Sequence, residues 1–307
     1  MSFSRRVAIL GYFISNSDEL ENVKVYTIAS GKGGTGKTTI ALNVGTALAT
    51  LGKKTLIMDC DVSMANLGLL VDFKHTKTLH DVLAGDAEID DAIYTGPGGV
   101  DIVPGGISIK GFQKSDPELL KRVMSDLLGK YDFVIIDAAA GLSKEVIVPL
   151  SLADEVILVV NPEIPSIVDA LKTKVVAEMV GSKVGGAILN RVIGEKIELT
   201  RDKISELLEV PILETVPEDI NVKKAAAAKM PLVLWSPEAP AARSFKRVAA
   251  RLAGEPVPED AEARRERFIS KLVRAIFGDA SEGGKTEGKG KRKPPLGMGV
   301  RRWLSWK

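Results

Sequence analysis

The stretch that most constrains the fold runs from Gly31 to Thr39 and has the sequence GKGGTGKTT. It fits the pattern G-x-x-x-x-G-K-[ST], with an apolar strand-like run, Val23 to Ala29, before it and a helix-patterned segment, Thr38 to Leu51, after it. Glycines let the backbone wrap closely enough for successive N–H groups to point at phosphate oxygens, beside the positive end of the following helix. This context predicts a nucleoside triphosphate site in an α/β protein.

Every residue of this loop is a candidate for nucleotide binding. The set is Gly31, Lys32, Gly33, Gly34, Thr35, Gly36, Lys37, Thr38 and Thr39. Lys37 is expected to reach the β- and γ-phosphates, and the Thr38 hydroxyl is expected to ligate Mg²⁺. Lys32 is unusual, because an ordinary P-loop has no charge requirement at that position and a second ammonium repels Lys37. We therefore expect Lys32 to have an anionic partner of its own.

The whole string resembles the deviant Walker A loop of the MinD/ParA family of ATPases. In that family the early lysine crosses a dimer interface and contacts the phosphates of the partner's nucleotide. The resemblance implies ATP and Mg²⁺ as cofactors and a homodimer that sandwiches ATP. It also implies catalytic roles for Lys32, Lys37 and Asp61.

Aspartates follow two of the predicted strands. Asp59 and Asp61 come after the strand predicted from Thr55 to Met58, and Asp137 comes after the strand predicted from Tyr131 to Ile136. Carboxylates at the carboxyl end of a parallel strand face the crevice where such sheets bind ligands. Asp137 is expected to hold Mg²⁺ opposite the P-loop, usually through a water. By resemblance, Asp61 orients the attacking water and Asp59 lies close to the magnesium shell; the alternative is two acids in a solvated turn.

The segment from Asp137 to Gly141 resembles the family's second switch but departs from it. Three alanines, Ala138 to Ala140, occupy a string in which the family usually has a hydroxyl residue or proline. They remove a side-chain hydrogen bond and the φ restraint of proline. We expect nucleotide binding to survive and hydrolysis to be slow and stimulated by a partner.

The base-binding residues are predicted from resemblance. Asn190 follows the strand predicted from Val184 to Leu189 and is expected to contact the adenine edge, with Pro217 and Asp219 on the other side of the base. The alternative for Asn190 is a simple turn residue. Asn161-Pro162-Glu163 and Asp169 also match the family, in a region that carries partner contacts in its members.

Composition bears on how the protein is stabilised and on where in the cell it is expected. Its 307 residues, 45% of them hydrophobic, can bury a substantial core without a metal or disulfide. The lone cysteine, Cys60, forms no internal disulfide and excludes the paired cysteines of iron–sulfur relatives. No apolar run approaches the roughly 20 residues that span a bilayer, and residues 1–22 lack a signal-peptide cleavage site. The predicted location is the cytoplasm, peripherally on the inner face of the cell membrane.

The carboxyl-terminal part differs from the rest in charge and pattern. From Ala263 to Lys307 there are thirteen Lys and Arg against four acids, so this part carries +9 and the rest −7. Arg264 to Phe277 predicts an amphipathic helix with a basic polar face. Its apolar side comprises Phe268, Ile269, Leu272, Val273, Ile276 and Phe277. By its pattern and by resemblance it should bind an anionic membrane surface; the alternative is a last helix docked on the core. Trp303 and Trp306 suit an interfacial anchor, a partner groove or nucleic acid equally well.

These predictions define five segments and one architecture. The segments are an N-terminal extension (1–22), a P-loop ATPase domain (23–254), a linker (255–262), an amphipathic helix (263–278) and a disordered basic tail (279–307). The fold class is α/β, with a mostly parallel twisted sheet and helices on both faces. The predicted function is an ATPase that dimerises on ATP, binds a membrane and is released on hydrolysis, positioning cell-division or other polar machinery with an unidentified activator or client protein. The alternatives are an ATPase that partitions DNA and a nucleotide-gated scaffold with negligible turnover.

Overall fold

A computed structural model describes most of the predicted ATPase domain. The described residues are 23–61, 67–72, 75–106, 123–127, 129–142, 144–195 and 198–258. The N-terminal extension, the amphipathic helix and the basic tail predicted from the sequence lie outside them. No helix of the described part is long and apolar enough to cross a membrane.

The strands and helices alternate along the chain. The strands are β1 (Lys24–Ser30), β2 (Thr55–Cys60), β3 (Tyr94–Thr95), β4 (Asp101–Val103), β5 (Phe133–Ala140), β6 (Glu155–Val160), β7 (Lys183–Val192) and β8 (Ile212–Pro217). The helices are α1 (Lys37–Thr50), α2 (Leu67–Leu70), α3 (Leu79–Ala84), α4 (Lys144–Leu152), α5 (Ile164–Met179), α6 (Arg201–Leu208), α7 (Ile220–Ala227), α8 (Leu232–Trp235) and α9 (Pro240–Ala253). Residues 123–127 are also helical.

The described strands form one sheet in the order β3-β4-β2-β5-β1-β6-β7-β8. All neighbours are parallel except β3 and β4, which are antiparallel. The central strands are buried on both faces, as expected of parallel sheets covered by helices. On β1, Tyr26 and Ile28 pack with α1 and α9, whereas Ala29 packs with residues of α4 and α5. The predicted α/β P-loop architecture with helices on both faces is confirmed.

Three predicted boundaries are wrong for identifiable reasons. Strands β2 and β5 continue through their acidic residues, because Asp59 and Asp137 are themselves paired in register between the two strands. The sequence from Leu79 to Ala92 predicts one helical segment, but the helix ends at Ala84, since Gly85 adopts a left-handed conformation with φ of 82°. A separate 3₁₀ turn then covers Ile89–Ala92.

Candidate nucleotide and magnesium site

The P-loop leaves the carboxyl end of β1 at the centre of the sheet. Ser30 Oγ donates a hydrogen bond of 2.7 Å to the Lys32 carbonyl oxygen at the start of the loop. Gly34 and Gly36 have φ of 77° and 101°, a region that glycine enters without steric cost. Gly36 then caps the amino end of α1. The glycines that the sequence assigns to phosphate binding therefore shape the loop that presents the N–H groups.

Two contacts with distant elements hold this loop. A Cβ built on Gly31 would overlap the carbonyl group of Asp169 on α5, so no larger residue fits there. On the other side, Asn190 Nδ2 donates to the Thr35 carbonyl oxygen at 2.7 Å. A Cβ on Gly36 would overlap the same Nδ2 atom. The loop is thus fixed between β7 and α5.

The two loop lysines have opposite environments. Lys37 is only 6% exposed, and burial lowers its pKa, with Asp137 and Asp61 opposing that shift. Lys32 is exposed and makes no ion pair with a described residue. Lys37 therefore faces the interior of the protomer's own site, and Lys32 faces outward.

Asp59 and Asp137 form a buried acidic pair on neighbouring strands. Each is 1% exposed. The oxygens of Asp59 accept hydrogen bonds from the backbone N–H groups of Asp61 at 3.0 Å and Leu67 at 3.2 Å. Neither oxygen of Asp137 has a hydrogen-bond partner at ordinary distance. Burial, followed by repulsion from Asp137, raises the pKa of Asp59 well above its usual range.

Asp137 has the environment of a metal-facing carboxylate. Burial raises its pKa to about 7, although the Thr38 hydroxyl and the Lys37 ammonium lower it. Burial of this carboxylate outweighs both contacts, and a cation would relieve the remaining cost. No cluster of three His, Cys, Asp or Glu side chains capable of holding a metal occurs among the described residues. A site with one or two protein carboxylates suits Mg²⁺, because this ion keeps several waters and takes phosphate oxygens as further ligands. Thr38 and Asp137 would hold it, with Asp59 adjacent.

Asp61 lies where the sequence places it, directly after β2, and it is half-buried. Its charge acts on both Lys37 and Asp137. It is therefore close to the phosphate-binding groups, and its role in orienting water stays a prediction.

The predicted base-binding residues lie together at the ends of β7 and β8, where Val192 pairs with Pro217. Asp219 has a structural role that the sequence analysis missed: Oδ1 accepts from Asn221 N–H at 2.9 Å and Oδ2 from Ala241 N–H at 3.2 Å. It thereby caps α7 and holds the start of α9. Aspartate just before a helix is the signal that could have found this role. The adenine contacts of Asn190, Pro217 and Asp219 stay predictions.

A glycine-rich phosphate loop at the carboxyl edge of a parallel sheet, opposite a buried aspartate, defines a P-loop nucleoside triphosphatase. The chain belongs to the CobQ/CobB/MinD/ParA nucleotide-binding family, whose model matches residues 26–232. The resemblance inferred from the loop is thereby confirmed.

Named relatives support this assignment over most of the chain. An uncharacterized ATP-binding protein of Methanocaldococcus jannaschii is 46% identical over 252 residues, which cover 82% of this chain and 96% of that protein. The septum site-determining protein MinD of Pyrococcus horikoshii, solved with Mg-ADP, has a TM-score of 0.70 and 39% identity, covering 75% of this chain and 96% of that one. The Aquifex aeolicus MinC:MinD complex has a TM-score of 0.68 and 30% identity, covering 78% and 99%. The ATP-binding name of the Methanocaldococcus relative and the Mg-ADP bound to the Pyrococcus protein agree with the cofactors predicted for this chain, ATP and Mg²⁺.

Proposed function

We propose that this protein is a MinD-like ATPase that dimerises on ATP, attaches to a membrane surface through residues 264–277 and leaves after hydrolysis. In this way it positions cell-division or other polar machinery. The observation that carries the proposal is the outward-facing Lys32 beside an inward-facing Lys37. An exposed ammonium at the mouth of a phosphate site can act on a nucleotide held by a second subunit.

The surroundings of the P-loop favour such a dimer. Gly33 and Gly34 are exposed with Lys32. Large apolar side chains are also exposed on the segments that follow β5 and β6. They are Leu142 (47%), Ile147 (38%), Ile164 (60%) and Val168 (44%). Large apolar side chains left exposed in this number can form an interaction surface in soluble proteins. A second copy docked over the loop would cover these side chains and bring its own Lys32 to the phosphates.

Hydrolysis in the proposed dimer would be slow without an activator. Ala138 and Ala139 are buried, at 0% and 2% exposure, and offer no hydroxyl toward the site. Asp61 is then the side chain left to orient the attacking water. In the Aquifex complex, MinD is bound to MinC. We propose a protein partner for this chain as well, on the part of α5 where Val175 and Met179 are 52% and 80% exposed.

Membrane attachment is proposed from the sequence of residues 264–277. Six apolar side chains, each worth about 1.5 to 3 kcal/mol when fully buried, give at most about 9 to 18 kcal/mol, and shallow insertion realises roughly half. Each Lys or Arg near an anionic surface adds about 1 kcal/mol. Ordering about fourteen residues costs about 1 to 2 kcal/mol each, which cancels most of that gain. One helix is therefore marginal, whereas two helices on one dimer gain about 10²- to 10⁴-fold in avidity.

Flotation on anionic liposomes tests the proposal. The wild-type protein should float with ATP and stay largely unbound with ADP, whereas an Ile269→Glu, Leu272→Glu variant should stay unbound with either. The same proteins are assayed for DNA retention and phosphate release. ATP-dependent retention on DNA without flotation would show that the protein binds nucleic acid rather than a membrane, and would favour the DNA-partitioning alternative. Flotation without measurable phosphate release, with or without a partner protein, would favour the alternative of a nucleotide-gated scaffold with negligible turnover.

A further inference from the structure

Asn190 reaches the P-loop from a distant strand. It lies on β7, which is separated from β1 by β6, and its side chain is buried, with 7% exposed. Its Nδ2 atom donates to the Thr35 carbonyl oxygen at 2.7 Å, and a Cβ on Gly36 would come within 2.4 Å of the same atom. The amide of Asn190 is therefore packed against the peptide group that joins Thr35 to Gly36.

That peptide group lies in a flexible part of the loop. Gly34 and Gly36, on either side of Thr35, both have positive φ, and glycine loses more conformational freedom on folding than any other residue. Thr35 is 1% exposed, but its hydroxyl has no hydrogen-bond partner among the described residues. The side chain of Thr35 thus contributes no polar contact that would fix the loop, whereas the side chain of Asn190 does.

The bond to Thr35 also gives a direction to a donor of the loop. The peptide between Thr35 and Gly36 is trans, so its C=O and N–H lie in one plane and point in opposite directions. Because Asn190 holds the Thr35 carbonyl on the side of β7, the Gly36 N–H points away from β7. The backbone N–H groups of a P-loop are the donors for phosphate oxygens. Loss of the bond would leave this peptide free to rotate and the Gly36 donor without a fixed direction.

The backbone around Asn190 is closely determined. Pairing with β8 slips by one residue between Leu189 and Val192, so Asn190 and Arg191 together lie opposite one residue of β8. This is a β-bulge, a feature that often lies beside an active site. Arg191 has φ of 58°, a conformation that is costly for a residue with a side chain and persists where the surrounding structure determines it. The strand therefore keeps Asn190 against the loop at some cost to its own regularity.

We propose that Asn190 is a positioning residue of the P-loop, which fixes the peptide between Thr35 and Gly36 so that the Gly36 N–H serves the phosphates. Its effect is on the phosphate chain of the ligand, whatever base the ligand carries. The predicted contact with adenine is a different role, because it acts only on a ligand that has a base. This inference rests on the nucleotide site alone, and it requires neither dimerisation nor a membrane.

Binding of a ligand without a base tests this role. Asn190→Leu keeps the approximate size of the side chain and removes the hydrogen bond to Thr35. Competition with fluorescent ADP in the presence of Mg²⁺ gives the affinities for ADP and for inorganic tripolyphosphate. We expect both affinities to fall, each by about two- to tenfold, which is the range for the loss of one hydrogen bond. Weaker ADP binding with unchanged tripolyphosphate binding would make Asn190 a base-binding residue only and overturn the proposal.

Ser182→Ala is the matched control for a purely structural effect. Ser182 is 4% exposed just before β7, and its hydroxyl donates to the Leu150 carbonyl oxygen. It therefore also makes a buried bond from a side chain to a distant backbone group, but at the opposite end of β7 from the P-loop. This variant should lose thermal stability, as Asn190→Leu should, and keep both affinities. An equal loss of tripolyphosphate binding in Ser182→Ala would show a general effect of lower stability and overturn the proposal.

Hydrogen exchange in the nucleotide-free protein gives a second readout, which needs no ligand. Amides of residues 33–38 should exchange about two- to tenfold faster in Asn190→Leu and at the wild-type rate in Ser182→Ala. Unchanged exchange of this segment in Asn190→Leu overturns the proposal, regardless of the ligand affinities. If Asn190→Leu does not fold, Asn190→Ala replaces it in each measurement. A failure of ATP to produce dimers or liposome binding would instead count against the proposed function and leave these measurements unaffected.

Discussion

Replacing Asp137 by asparagine should stabilise the nucleotide-free protein and remove its response to magnesium. The carboxyl of Asp137 is 1% exposed, and burial raises its pKa from 3.8 to about 7 in spite of the nearby Thr38 hydroxyl and Lys37 ammonium. Between those two values the unfolded chain ionises this group while the folded protein keeps it protonated. The contribution of Asp137 to stability is therefore greatest below pH 4 and is lost as the pH rises toward 7.

The size of the effect follows from the pKa difference. Each pKa unit corresponds to about 1.4 kcal/mol, so the wild-type protein would lose up to about 4 kcal/mol between pH 4 and 7 through this group. The asparagine side chain of the variant does not titrate, and the variant's gain over the wild type should grow across the same range. For a domain of this size, about 2 to 4 kcal/mol corresponds to roughly 5 to 15 °C in melting temperature.

Thermal denaturation in EDTA at several pH values measures this gain in stability. The same experiment with Mg-ADP measures how much the bound magnesium nucleotide stabilises each protein. Mg-ADP at about 100 times its Kd should stabilise the wild type by about 2.7 kcal/mol. Much of that shift should be absent in Asp137→Asn. Asp101→Asn is the control, because Asp101 accepts hydrogen bonds from Thr95 at 2.8 Å and Tyr131 at 2.9 Å. Its replacement should cost stability and keep the magnesium response. An Asp137→Asn protein that is no more stable than wild type at pH 7.5, or that keeps the full Mg-ADP shift, would refute the assignment.

Three further substitutions test other parts of the site. Lys32→Ala should keep nucleotide affinity, because the side chain is exposed and the buried Lys37 remains. The variant should lose the ATP-dependent dimer in light scattering, and normal dimerisation would contradict a contact in trans. Asp61→Ala should block phosphate release more than ATP binding and accumulate the dimer, since orienting water matters in the transition state; equal losses of affinity and turnover would make Asp61 a structural or metal residue. Gly31→Ala should lower the unfolding free energy by about 1 to 3 kcal/mol, because its Cβ would overlap the Asp169 backbone. Gly33→Ala is the control and should be nearly neutral, since no atom lies within 4 Å of the new Cβ.

Much of the fold can be predicted because its signals are local and repeated. Glu155 is followed by five apolar residues that predict a strand to Val160, and β6 has these bounds. A glycine after a helical segment predicts its end, and Gly254 ends α9 in the left-handed conformation. The sequence does not predict helix α4, since its Pro149 is a residue that usually breaks helices. The Pro149 carbonyl oxygen accepts a bond of 2.7 Å from Thr27 Oγ1 on β1, a tertiary contact that the local sequence does not indicate.

The sequence predicts the whole site less completely than the loop at its centre. The motif assigns the residues from Gly31 to Thr39 without any knowledge of the fold. Asn190 is 155 residues from Thr35 in the chain, and only the sheet order brings its amide to the Thr35 carbonyl. The bond from Leu67 N–H to Asp59 is likewise a product of folding. Motifs specify the groups that touch a ligand, whereas the groups that hold those residues in place depend on long-range packing.

The environments of the two loop lysines also explain why one loop carries both. Lys37 is buried among acids, and its lowered pKa shows that the protein alone does not fully compensate the desolvation of its charge. Phosphates entering this site would compensate it, just as Mg²⁺ would compensate Asp137. Lys32 is exposed to water and needs no such compensation within the protomer. Its conversion to alanine should therefore leave the stability of the nucleotide-free protein nearly unchanged and affect only steps in which a second molecule covers the loop. In the proposed dimer, a loop with one inward and one outward lysine would separate nucleotide capture from assembly.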